Sequence, residues 1–134
     1  MDISNAKEEP ALVQKENTFK VDVKTFGSVP GGLCKVTDTV SANYQGKFLD
    51  GKVFDENKFG MPFKFVLGQQ EVIKCWDMAF AQMRIGEKAQ ITCPSDIAYG
   101  DEGSGPIPGK ATLLFDVEVL NCEQTFWLVY YYFI

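Results

Sequence analysis

The sequence predicts an α+β fold: an antiparallel sheet covering one short helix. Three observations predict it. Apolar and polar residues alternate with period two in most stretches of the chain. That period gives way once, between Trp76 and Met83, to the spacing of a helix. The links between stretches are mostly of hairpin size, which suits antiparallel neighbours. With 134 residues, 46% of them hydrophobic, there is material for one core and too little for two.

From Phe19, FKVDVK alternates apolar and charged residues, as a strand with one buried face does, and GSVPGG stops it. In TDTVSANYQGKF the apolar side chains Val40, Ala42 and Tyr44 recur every second residue. LDGK then supplies an Asp-Gly turn leading to Val53 and Phe54. PFKFVLG places Phe63, Phe65 and Leu67 on one face and Lys64 on the other. Trp76, Ala79, Phe80 and Met83 stand at i, i+3, i+4 and i+7, the stripe of a short amphipathic helix, with Gly86 placed to end it. Alternation returns in EKAQITC, at Ala89, Ile91 and Cys93, and in ATLLFDVEV, at Leu113, Phe115, Val117 and Val119. Between these two lies PSDIAYGDEGSGPIPGK, too rich in glycine and proline for helix or strand. It is longer than most structureless connections, which marks it as a candidate functional loop.

Composition removes whole classes of chemistry. A net charge of −5 gives no electrostatic footprint for a phosphate backbone, so no nucleic-acid partner is expected. The absence of histidine excludes a Ser-His-Asp triad, a Cys-His pair, an HExxH zinc helix and every histidine-ligated metal. Cys34, Cys75, Cys93 and Cys122 contain no CxxC pair, so no metal is expected and the thiols read as reduced, in a cytoplasmic protein. Residues 1–18 have neither a basic start nor an apolar core; they read as a polar, flexible tail rather than a secretory signal. FWLVYYYFI, residues 126–134, is uninterruptedly apolar but far shorter than the roughly 20 residues a membrane span needs. An aromatic run with no basic residue suits a protein partner better than lipid headgroups.

Among local constellations, SGPIPGK ends like a phosphate-binding loop. It fails as one: Ser104 stands where glycine is needed and Ala111 where Ser or Thr is, and Pro106 and Pro108 have no N–H to offer an anion. Asp55 with Glu56, and Asp101 with Glu102, are adjacent pairs that point to opposite faces of a strand, so neither converges as an acid/base pair. Aromatic residues carry the stronger signal. They fall on almost every element, and Trp76 and Tyr99 each add a polar handle; Tyr99 lies in the long loop, where packing alone seldom demands a tyrosine.

Four stretches in order, ANYQGKFLDGKVFD, PFKFVLGQQEVIKCWD, AQMRIGEKAQITCPSDIAYG and GPIPGKATLLFDVEVL, resemble the FK506-binding family of peptidyl-prolyl cis-trans isomerases. The resemblance covers residues 19–122 as one isomerase domain and leaves 1–18 and 123–134 as tails. It implies a five-stranded antiparallel half-barrel sheet wrapped round one short helix. It implies a cofactor-free site, floored by Trp76, with Tyr44, Phe54, Asp55 and Tyr99 as the other catalytic residues. Phe63, Val72, Ile73, Ile107 and Phe115 would bind the substrate or a macrolide such as FK506 or rapamycin. The partners implied are proline-containing peptides and proteins, and the missing histidine is no obstacle, because rotation about an X-Pro bond moves no proton. Cys75 departs from the family, which usually has glycine before the tryptophan; Ile97 replaces a frequent aromatic. A proline-binding module that uses the same pocket and the C-terminal tail, without turnover, is the alternative.

Overall fold

The computed structural model describes residues 18–27 and 32–124. Six strand segments and one helix follow in order: β1 (Lys20–Thr25), β2 (Asp38–Phe48), β3 (Val53–Glu56), β4 (Phe63–Val66), α1 (Lys74–Phe80), β5 (Lys88–Cys93) and β6 (Leu113–Gln124). All pairings are antiparallel, in the order β1-β5-β6-β2-β3, with β4 also on β2. The α+β expectation holds. The expected five strands are six segments in five positions. β4 pairs with Thr39 to Ala42 and β3 with Gln45 to Lys47, so together they form one edge strand interrupted by residues 57–62.

The long strands β2 and β6 make the spine, paired from Phe48↔Leu113 through Tyr44↔Val117 to Asp38↔Gln124. Their alternation is the one the sequence predicts: Val40 and Ala42 on β2, and Leu113, Phe115, Val117 and Val119 on β6, are buried, while their neighbours are not. α1 lays Cys75, Trp76, Ala79 and Phe80 on that inner face. It is shorter than the four-residue stripe, because the chain tightens after Phe80: Gln82 N–H donates to Ala79 O and Met83 N–H to Phe80 O, both three residues back. Met83 is still wholly buried. No side chain caps the start of α1; instead Asp77 reaches back to accept the Gly68 and Gln70 N–H groups at 2.8 and 3.1 Å. That pins the turn leading into the helix.

The cysteines correct the sequence reading. They are not reduced thiols but two disulfides, Cys34–Cys122 and Cys75–Cys93, with Cα separations of 5.4 and 5.7 Å. Partners 88 and 18 residues apart leave no local signature, since only the fold brings them together. The pairing removes the ground on which a cytoplasmic location was expected.

The segment between β5 and β6 is also more ordered than its composition suggests. It opens with a 3₁₀ turn at Ser95–Ile97, and Ser104 and Ile107 exchange both backbone hydrogen bonds. Lys110 N–H closes it onto Gly100 O at 2.9 Å. Gly103, at φ +73°, packs directly on the Ile107 carbonyl and leaves no room for a Cβ. At the far end, β6 runs two residues past the boundary drawn at Cys122. The aromatic run 126–134, the N-terminal segment 1–17 and Ser28 to Gly31 of the expected stop signal lie outside the described residues. No helix among the described residues is long and apolar enough to cross a membrane.

Candidate functional site

On the concave side of the sheet, between β2, β3, β4, β6, the start of α1 and the long loop, lies a cavity of about 350 Å³. Its floor is Trp76, only 4% exposed. Three rings stand almost perpendicular to the indole: Tyr44 at 5.1 Å and 80°, Phe115 at 5.3 Å and 87°, and Phe63 at 5.9 Å and 84°. Perpendicular walls on a flat floor make a cup, and edge-to-face contact is a favoured arrangement of aromatic pairs. Phe80 and Phe65 pack against Trp76 at 5.2 and 5.8 Å and belong to the buried core. The indole N–H is buried and has no partner among the described residues, so ring packing alone fixes the floor.

Phe54 and Asp55 are consecutive on β3, yet both line the cup. The register explains this. Gly46 pairs with Asp55 but Lys47 with Val53, which leaves Phe54 as an extra residue in a bulge, and bulges re-aim side chains. Gly46 makes room for the result: a Cβ there would meet the Phe54 ring at 2.6 Å and the Phe115 ring at 3.0 Å. Glu56, next along, instead accepts a hydrogen bond from the Gln45 side chain.

The polar groups are few. Tyr44 donates its phenol O–H to Asp55 Oδ2 at 2.8 Å. Its backbone is held as well, since Tyr44 N–H donates to Asn57 Oδ1 and Asn57 N–H donates to Tyr44 O. Burial pushes the Tyr44 phenol well above its usual range, and the hydrogen bond to Asp55 adds to the shift. Burial raises Tyr99 too, with the Asp55 charge second. Val72 and Ile73 line the cup just before α1. Ile73 O accepts the Trp76 N–H, while the Ile73 N–H has no hydrogen-bond partner among the described residues.

Of the residues singled out from the sequence, Tyr44, Phe54, Asp55, Phe63, Val72, Ile73, Trp76, Tyr99 and Phe115 all line this cavity. Ile107 does not. It is 7% exposed and packs into the core beneath the loop, because its reciprocal pairing with Ser104 turns that tip inward. Glu71 was missed: it lines the cup, and its Oε2 accepts the Val66 N–H. Only its place directly before Val72, in GQQEVI, hinted at it.

Such a cup can receive a small apolar ring and hold its flanking amides, with no nucleophile or proton donor of ordinary acid/base strength on its walls except two carboxylates. Comparison with known proteins agrees with the geometry. Residues 32–120 match the family model of FKBP-type peptidyl-prolyl cis-trans isomerases. The chain is 48% identical over 107 residues to FK506-binding protein 2 of Debaryomyces hansenii, which covers 76% of this chain and 79% of the relative. It is 44% identical over 111 residues to FK506-binding protein 4 of Aspergillus oryzae, and 47% over 94 residues to FK506-binding protein 4 of Rhizopus delemar. Those matches cover 83% and 69% of this chain but only 23% and 25% of the relatives, so the chain spans about a quarter of their length.

Proposed function

The chain belongs to the FKBP-type peptidyl-prolyl cis-trans isomerases, and on that premise we propose that it accelerates rotation about X-Pro bonds by desolvation and positioning in the aromatic cup. The observation that carries this reading is the Trp76 indole with three rings standing perpendicular around it.

A peptide bond resists rotation by about 18–20 kcal/mol, because its C–N bond has partial double-bond character. That resonance separates charge, and water stabilises the separated charge more than it does the twisted amide. A pocket walled by rings withdraws that solvent, so the twisted form becomes relatively cheaper. Each 1.36 kcal/mol or so taken off the barrier gives about tenfold in rate, so a modest differential effect suffices. In this reading the proline ring rests on Trp76. The Ile73 N–H and the Tyr99 hydroxyl hold substrate carbonyls on one side of the bond while the other side turns. Asp55 organises the wall by fixing the Tyr44 phenol and does not act as a base.

The same cup suits macrolides such as FK506, a ligand that the names of the relatives carry. Proline-containing peptides and proteins are the proposed clients. The two disulfides favour an oxidising compartment over the cytoplasm as the place of work.

The test is a protease-coupled or NMR exchange assay on an Ala-Leu-Pro-Phe peptide. Acceleration that FK506 suppresses is the expected result. A folded protein that accelerates nothing yet binds the peptide would leave only a proline-binding module.

A further inference from the structure

The cup is unevenly charged. Its lining includes two carboxylates, Asp55 and Glu71, and no lysine or arginine. The cations nearest in sequence, Lys52, Lys58, Lys64 and Lys74, are exposed and none of them lines it. The loop that contributes Tyr99 adds exposed Asp96, Asp101 and Glu102 against a single Lys110. From both the pocket and the loop, an approaching peptide meets an anionic mouth around an apolar floor.

The two carboxylates are differently engaged. Asp55 is committed to the Tyr44 phenol. Glu71 is exposed and is tethered through Oε2 to the Val66 N–H, while Oε1 has no hydrogen-bond partner among the described residues. A tethered carboxylate has already lost much of its side-chain freedom, so pairing with an incoming cation costs less entropy than it would for a free glutamate. Rotation about X-Pro moves no proton, so the chemistry itself has no use for this charge.

We propose that the site prefers clients with a basic side chain beside the proline, and that Glu71 is the specificity-determining carboxylate. The inference rests on the isomerase reading of the cup. Attraction of this kind acts across a partly desolvated mouth, where charges count for more than in bulk water, and it fades as salt shortens the screening length below about 8 Å.

The experiment measures kcat/KM by NMR exchange for Ala-Leu-Pro-Phe and for peptides with Lys or Glu immediately before the proline, and again immediately after it. At low ionic strength the Lys peptide should be favoured over the Glu peptide by about tenfold at one of these positions, and the ratio should fall toward one in about 1 M salt. Glu71→Gln preserves an acceptor for the Val66 N–H but removes the charge, and should cut the low-salt ratio by roughly threefold. Because the ratio compares two peptides on one protein, a general loss of activity cancels. Turnover of the Leu peptide with a Lys-to-Glu ratio of one at both positions overturns this inference alone. A ratio that Glu71→Gln leaves unchanged removes Glu71 from it. Failure to accelerate any peptide overturns the isomerase reading and this inference together.

Discussion

The Tyr44 phenol bonds to Asp55 while its ring meets the Trp76 indole, so one side chain joins the polar wall of the cup to its floor. If Asp55 acts only by fixing that phenol, its removal should be felt through Tyr44. Asp55→Ala is expected to lower kcat/KM by about tenfold, the worth of one charge-assisted hydrogen bond. Tyr44→Phe should lower it comparably, and the double variant should lose little more than the worse single one. Additive losses would mean that Asp55 touches the substrate itself. The raised phenols also set a pH dependence. Tyr44 and Tyr99 keep their protons in the fold after the unfolded chain begins to lose its own near pH 10, so the native state then binds more protons than the unfolded one. Stability should therefore fall as pH rises above about 10, and Tyr44→Phe with Tyr99→Phe should flatten the decline of the melting temperature. At this scale the aromatic lining was legible, because large rings on nearly every element of a small domain converge on its concave side. Asp55 beside Phe54 was not legible from strand alternation, since a bulge overrides the pleat. Glu71 escaped because an exposed glutamate in a turn breaks no pattern.

The strands follow their alternation closely, and what alternation could not show is how segments are interrupted or joined. Nothing in NKFGMP indicates that β3 and β4 share one edge of β2, because pairing is a long-range choice. Disulfides are the same kind of fact, and here they separate two roles. Cys34–Cys122 closes 88 residues and touches no residue of the cup's lining. Cys75–Cys93 closes 18, but Cys75 directly precedes Trp76 on α1, and Cys93 ends β5 where the Tyr99 loop departs. The chain-entropy argument gives the longer closure about 4.5 kcal/mol and the shorter about 3 kcal/mol. Replacing Cys34 and Cys122 by alanine should thus lower the melting temperature more, while replacing Cys75 and Cys93 should lower kcat/KM more. Differential scanning calorimetry beside the isomerase assay checks the crossing. If both pairs alter stability and rate in the same proportion, the short bridge does nothing particular for the site.

At the scale of the molecule, every residue lining the cup lies between Tyr44 and Phe115, inside one sheet and the helix it wraps. The spine strands β2 and β6 carry this unit, and they remain paired as far as Asp38↔Gln124. The boundary suggested by sequence, after Cys122, would therefore cut through a strand, whereas a cut after Gln124 spares both the pairing and the Cys34–Cys122 bridge. A chain ending at Gln124 should keep kcat/KM within about twofold of the full chain, as changes remote from a packed site usually do. The removed segment includes nine consecutive apolar residues, five of them Trp, Tyr or Phe in WLVYYYF, a surface of the kind that calls for cover. Sedimentation should then show the full chain self-associating, or retaining a protein partner, where the shortened chain runs as a monomer. Two identical profiles would strip the segment of any role in association. A shortened chain that is folded and monomeric but inactive would show that the segment reaches the cup, and that the site extends beyond the residues between Tyr44 and Phe115.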